Sequence, residues 1–110
     1  MKKLTNVLPD ITLVNGMVQL TQGENYVCLT KSDINALKML MNGDMEGDYY
    51  ITKVCKVELQ RIKENNSVLA ICDDNTVYLP AKAVKLIFKF REQNNRRILW
   101  DMDFKRYRRY

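Results

Sequence analysis

Apolar and polar positions alternate in short runs through most of this chain and change to helical spacing in two places. Ile11 to Val14 and Met17 to Leu20 flank Asn15-Gly16. That pair accepts the positive backbone angles of a type I′ turn, so the pattern predicts a hairpin. Gln22-Gly23-Glu24-Asn25 makes a further turn and Tyr26 to Leu29 a third strand, which gives a meander able to bury one face. Thr30 then opens a helix: its hydroxyl can accept from the N–H three residues on, and Asp33 puts a carboxylate in the positive first turn. Ile34, Leu37, Leu40 and Met41 mark the buried side, Lys38 faces out, and Asn42-Gly43 supplies a left-handed cap.

The second half repeats this order. Tyr49, Ile51, Cys55, Val57 and Leu59 share one face of an alternating segment broken by Lys53, and the β-branched and aromatic content predicts a strand over 49–59. Val68 to Cys72 and Thr76 to Leu79 flank Asp73-Asp74-Asn75, whose side chains bond locally in turns, so a hairpin follows. Pro80 ends its second strand and suits the start of a helix. From Ala81 the apolar residues fall at Val84, Ile87 and Phe88, flanked by Ala83 and Phe90, a helical spacing. Beyond a polar break at residues 92–97, Ile98, Trp100, Met102 and Phe104 alternate with Leu99, Asp101 and Asp103, which predicts a strand at 98–104 added to the sheet.

Val27-Cys28-Leu29-Thr30-Lys31 before the first helix parallels Val77-Tyr78-Leu79-Pro80-Ala81 before the second. The fold class expected is α+β: two small antiparallel units, each a hairpin leading into a helix, sharing one core. It is read as one domain over 1–104, with possible halves 1–47 and 48–104 and a basic aromatic tail at 105–110. The acidic loop at 44–48 parts the halves; its carboxylates miss the calcium-loop spacing and read as a solvated turn.

Composition narrows the function classes. The 110 residues contain no histidine, so a zinc site would need thiolates or carboxylates, and Cys28, Cys55 and Cys72 have no metal-binding spacing. Each cysteine lies in an apolar run and reads as a small buried hydrophobe in a reducing compartment. No metal and no cofactor is expected. No apolar run has the length of a membrane span and no signal-peptide core follows Met1, so a cytoplasmic location is expected. There is no phosphate-binding glycine motif and no nucleophile elbow. Asp73-Asp74 serves a turn, and Asp101 with Asp103 can pair with nearby arginines, so no catalytic residue is expected.

Charge changes the picture most. Residues 1–80 carry eight Lys and Arg against ten Asp and Glu, whereas residues 81–110 carry ten against three. The whole excess of positive charge therefore lies in the last quarter of the chain, which points to an anionic partner, nucleic acid ahead of a membrane surface. Lys82, Lys85 and Lys89 recur at helical spacing, and Arg91, Arg96, Arg97, Lys105, Arg106, Arg108 and Arg109 extend the basic track. Trp100, Tyr107 and Tyr110 are interleaved with them, as stacking on unpaired bases would require. Trp100 and Phe104 serve a core equally well in this pattern. These residues are the expected nucleic-acid-binding set.

Tyr50-Ile51-Thr52-Lys53-Val54, Val68 to Ile71, and Val77-Tyr78-Leu79-Pro80 before a basic helix resemble small β-rich single-stranded-DNA-binding proteins of viruses and mobile elements, over about a third of the chain. A stretch from Leu29 to Leu37 looks like the opening of a winged-helix domain, but no recognition helix follows it. The resemblance and the composition, rich in Asn and Lys, imply a viral or bacteriophage protein. The function expected is non-enzymatic nucleic-acid binding, to single-stranded DNA or RNA ahead of duplex. The alternative is a small protein-binding regulator whose basic end docks on an acidic protein surface, with Met39 to Met45 as its contact patch. A third reading is an assembly subunit, and an oligomer, joined through an edge strand such as Ile11 to Val14.

Overall fold

A computed structural model of the chain describes residues 8–103. Strands β1 (Asp10–Val14), β2 (Met17–Gln22) and β3 (Asn25–Leu29) form one antiparallel sheet and lead into helix α1 (Lys31–Asn42). Strands β4 (Tyr49–Ile51), β5 (Glu58–Ile62), β6 (Ser67–Cys72) and β7 (Asn75–Leu79) form a second and lead into α2 (Ala81–Gln93). The molecule is thus the α+β arrangement that the sequence pattern predicts, with a sheet and a helix in each half.

The first hairpin turns at Asn15 (φ 51°) and Gly16 (φ 81°), with Val14 opposite Met17. Gly16 has a second duty. A Cβ built there would lie 2.7 Å from two side-chain carbons of Leu99, so any other residue would have to displace that side chain as well as adopt a left-handed φ. Helix α1 begins with a full capping box: Thr30 Oγ1 accepts from Asp33 N at 3.2 Å, and Asp33 Oδ2 accepts from Thr30 N at 2.8 Å. It ends at Gly43 in the left-handed conformation, φ 78°.

Each sheet buries alternate residues. Val18 faces Leu29 and Leu20 faces Val27 in the first; Val68 faces Leu79 and Ala70 faces Val77 in the second. These registers superpose on a shift of 50 residues, since Val18–Leu29 becomes Val68–Leu79 and Gln22–Asn25 becomes Cys72–Asn75. The same shift relates the two turns, with φ 66° at Gly23 and 53° at Asp73. The chain is therefore a structural repeat of a strand–strand–helix unit.

The repeats meet at the edges of β3 and β7, and polar side chains stitch the seam. Asn25 Oδ1 accepts from Thr76 N at 3.3 Å, and Asn75 Oδ1 accepts from Tyr26 N at 3.1 Å, a reciprocal pair related by the same shift. Gln22 acts as one more rung: its Nε2 donates to Tyr78 O at 3.0 Å and its Oε1 accepts from Tyr78 N at 2.9 Å. Behind the seam one apolar cluster draws on both halves, including Leu20, Leu29, Ile34 and Leu37 from the first and Leu59, Val68, Leu79 and Ile87 from the second. Burial of such side chains is the main stabilising term.

Two expectations are corrected. The strand expected over 49–59 is a hairpin, β4 and β5 joined by residues 52–57. Thr52, buried, donates its N–H to Val57 O at 2.9 Å and accepts from Val57 N on its hydroxyl at 2.8 Å, while Lys56 takes φ 56° to close the loop. The break in alternation at Lys53 marks this loop. The phase also flips across it: Tyr49 and Ile51 are exposed, whereas Val57 and Leu59 are buried.

The strand expected at 98–104 is also absent from the described residues. Asn94 O accepts from both Arg97 N and Ile98 N in a tight turn, and residues 101–103 are helical. Leu99 spends its two backbone groups on different elements, donating to Gly16 O at 2.8 Å and accepting from Lys31 N at 2.9 Å, so no ladder can extend. Asp103 Oδ2 accepts from Trp100 N at 2.9 Å, which starts a helical turn instead. Among the described members of the alternating set Ile98 is buried, while Trp100 and Met102 are exposed.

Candidate nucleic-acid interface

At 100° per residue, Lys82, Lys85 and Lys89 fall within an arc of about 60° on α2. All three are exposed, while Ala83, Val84 and Ile87 on the other side are buried. The geometry follows from the sequence: an apolar stripe turned to the core leaves the lysines no other place. Among the described residues the ion pairs are Arg61 and Lys63 with Asp48, so the α2 lysines keep their charge unneutralised by a carboxylate. The first turn of α2 also contains no acidic residue, and Arg91 sits in the last.

Arg91 departs from the expected track. It lies about 180° round the helix from Lys82. It lines a crevice between the two helices with Ile34, Asn35, Lys38, Phe88 and Glu92, and its Nε is buried without a partner among the described residues. It belongs to the helix–helix contact. Arg96 and Arg97 are exposed on the turn that follows α2. Trp100 is 41% exposed, and the Lys31 ammonium stands 5.1 Å from its ring centroid. Lys105, Arg106, Tyr107, Arg108, Arg109 and Tyr110, together with Phe104, lie outside the described residues.

Two grooves join along this face. One runs between the start of β1 (Pro9, Asp10, Ile11) and α2 (Leu86, Lys89, Phe90, Gln93); the other follows residues 92–97 over the turn, and Gln93 is common to both. Ile11, Leu86 and Phe90 give the first its apolar lining beside Asp10, Lys89 and Gln93, and the second offers the side-chain amides of Gln93, Asn94 and Asn95 beside Glu92, Arg96 and Arg97. Sequence reasoning missed the three amides and Leu86. The signal available was weak: a polar break reads as a linker until the turn shows that it lines a groove.

The remaining chemistry-bearing groups have structural work. Burial holds the Cys28, Cys55 and Cys72 thiols above their ordinary range, Cys55 to about 12, which keeps them protonated and poorly nucleophilic at neutral pH. Cys72 donates to Cys55 O at 3.3 Å and Cys28 to Gln19 Oε1 at 3.7 Å. Asp101 accepts from Thr30 Oγ1, and Asp103 caps its own turn. Among the described residues no set of three or more Cys, Asp or Glu side chains is placed to hold a metal ion, and no helix is long and apolar enough to cross a membrane. Comparison with models of protein families, with curated proteins and with solved structures returned no match.

Proposed function

We propose that the protein binds single-stranded DNA or RNA and carries out no reaction on it. The observation that carries this reading is the exposed lysine row of α2, of which Lys89 lines the first groove, followed by Arg96 and Arg97 in the second, where these cations outnumber the lining carboxylates Asp10 and Glu92. Cations along a groove hold a phosphate backbone, and the apolar lining at Ile11, Leu86 and Phe90 accepts a base that is not already paired. Exposed Trp100, three residues beyond Arg97, offers a surface for stacking. A duplex would offer phosphates to the lysines and nothing to the apolar lining or the indole, so single strands are favoured.

Fluorescence anisotropy with labelled single-stranded and duplex oligonucleotides across a salt series tests this. If Lys82, Lys85, Lys89, Arg96 and Arg97 each meet a phosphate, the logarithm of the affinity should fall with the logarithm of salt at a slope of about −3.5 or steeper. A chain ending at Phe104 should bind more weakly and with a shallower slope, because four cations are removed with the tail. Duplex bound as tightly as single strand would refute the base-stacking part. No binding at low salt would refute the whole reading.

A further inference from the structure

The segment after α2 is strapped across the beginning of α1. Leu99 bridges the β1–β2 turn and the helix through its backbone, bonded to Gly16 O and Lys31 N. Lys31 Nζ donates to Asn95 O at 2.5 Å while standing over Trp100. Asp101 accepts from Thr30 Oγ1 and its N–H lies 3.4 Å from Ser32 Oγ. Beside this strap sits Asp33, fully buried, with Oδ2 used by the capping box and Oδ1 without a hydrogen-bond partner among the described residues.

We propose that Asp33 and Asp101 form a proton-operated latch: with Asp33 protonated the strap at 99–103 is seated on α1, and with Asp33 ionised it lifts from the buried Ile98 onward, taking Trp100 out of its place beside Lys31. The latch goes beyond the nucleic-acid reading and stands whether or not the basic face binds an oligonucleotide.

The physical reason is the orphan oxygen. A buried carboxylate with one oxygen unbonded is costly, and protonation removes the charge that burial penalises. The groups facing Asp33 do not relieve it. Asp101 on the strap is a second carboxylate, and Tyr50 on β4 and Cys55 in the 52–57 loop are neutral, both pushed up first by burial and then further by Asp33 and Asp101. Lys31 on the same helix directs its ammonium to Asn95 and Trp100. Burial, with Asp101 adding to it and the Thr30 hydrogen bonds opposing, raises the Asp33 carboxyl from 3.8 to about 6. The seated form therefore keeps its proton at pH values where a free aspartate gives it up. Seating is strongest below the free value, weakens as pH rises through this window, and is fully weakened above about 6. The displacement from 3.8 to about 6 allows at most about a hundredfold change in the seating equilibrium.

Trp100 is the chain's only tryptophan, which makes the strap directly observable. Acrylamide quenching of its fluorescence, followed in the full chain from about pH 3.5 to about pH 8, should show one step complete by about pH 6, with quencher access rising about twofold from that of the seated indole, which is already 41% exposed. Far-UV circular dichroism should stay constant across that step. Asp33→Asn keeps the acceptor for Thr30 N–H and places an amide donor where the orphan oxygen was, so its Trp100 should keep the seated level of access throughout. Asp101→Asn should retain the step but move it to lower pH, because the neighbouring charge is gone. Flat quenching in the natural chain, a step that coincides with global unfolding, or an unmoved step in Asp101→Asn would overturn the latch. So would a step that persists in Asp33→Asn. Should Asp33→Asn fail to fold, the shift in Asp101→Asn decides alone.

Discussion

Replacing Lys82, Lys85 and Lys89 together by glutamate is expected to lower the affinity for a single-stranded oligonucleotide on the order of a hundredfold or more at about 0.1 M salt. The fold should survive, because all three side chains are exposed and none is in an ion pair among the described residues. Each change removes one positive charge and adds one negative, so the net charge passes from +5 to −1. Three lost phosphate contacts should also make the salt slope shallower by about 2. A matched control separates local contact from overall charge. Lys53 and Lys56 are exposed on the β4–β5 loop, outside α2, and their conversion to glutamate alters net charge as much as conversion of any two of the α2 lysines. That variant should lose far less affinity than such an α2 pair and keep most of the slope. Equal losses in both would mean that binding follows bulk charge and that the α2 face has no special part.

The second large effect concerns the seam between the repeats. Gln22→Ala should destabilise the fold by about 2–4 kcal/mol, read as a lower midpoint in urea with the slope of the transition unchanged. The reason is an asymmetry of burial. Gln22 and Tyr78 are both buried, so truncating the amide strips partners from a backbone donor and a backbone acceptor that water reaches poorly. Asn25 and Asn75 make the reciprocal bonds at the exposed end of the same seam. Their replacement by alanine should cost under about 1 kcal/mol each, since water can take the place of the lost oxygen. If all three variants lost equally little, the seam would be held by the apolar cluster alone and the glutamine rung would be incidental.

Much of the architecture was legible in the residues themselves. Asn15-Gly16 specifies a turn through backbone angles that few other pairs accept, and Thr30 with Asp33 specifies a helix start through two hydrogen bonds. The apolar stripe of α2 fixed the outward direction of Lys82, Lys85 and Lys89 before any coordinates were needed. The failures share a cause, which is that alternation cannot report a partner. In 49–59 the period of two continued across a loop that a buried threonine hydroxyl closes from within. In 98–104 the same period was present, but Leu99 is held by a turn on one side and a helix on the other. Arg91 illustrates the reverse error: charge suggested the basic track, while helical phase turns it toward α1. The latch was invisible in sequence, because Asp33 and Asp101 lie far apart along the chain and meet only through tertiary packing.

The repeat also gives the basic face its context. Equivalent positions at the two helix starts have diverged: the first carries Thr30 and Asp33 and is covered by the strap, while the second begins with Pro80 and Ala81 and carries Lys82. One unit of the pair thus anchors residues 95–101 and the other presents lysines to solvent. The proposed division is that the first half positions Trp100 while the strap is seated and the second holds phosphates.

The most direct test is a residue-by-residue titration of the isotopically labelled full chain with a short single-stranded oligonucleotide, followed by amide and indole NMR signals. The account predicts saturable shifts at Lys82, Lys85, Leu86, Lys89, Gln93, Arg96 and Arg97 and at the Trp100 indole, with β4, Met39 and Met45 undisturbed and Met41, which shares a cleft with Lys85, shifted less than the lysines. Shifts centred on Met39 to Met45, or no shifts at low salt, would contradict it and move the search for a partner to an acidic protein surface.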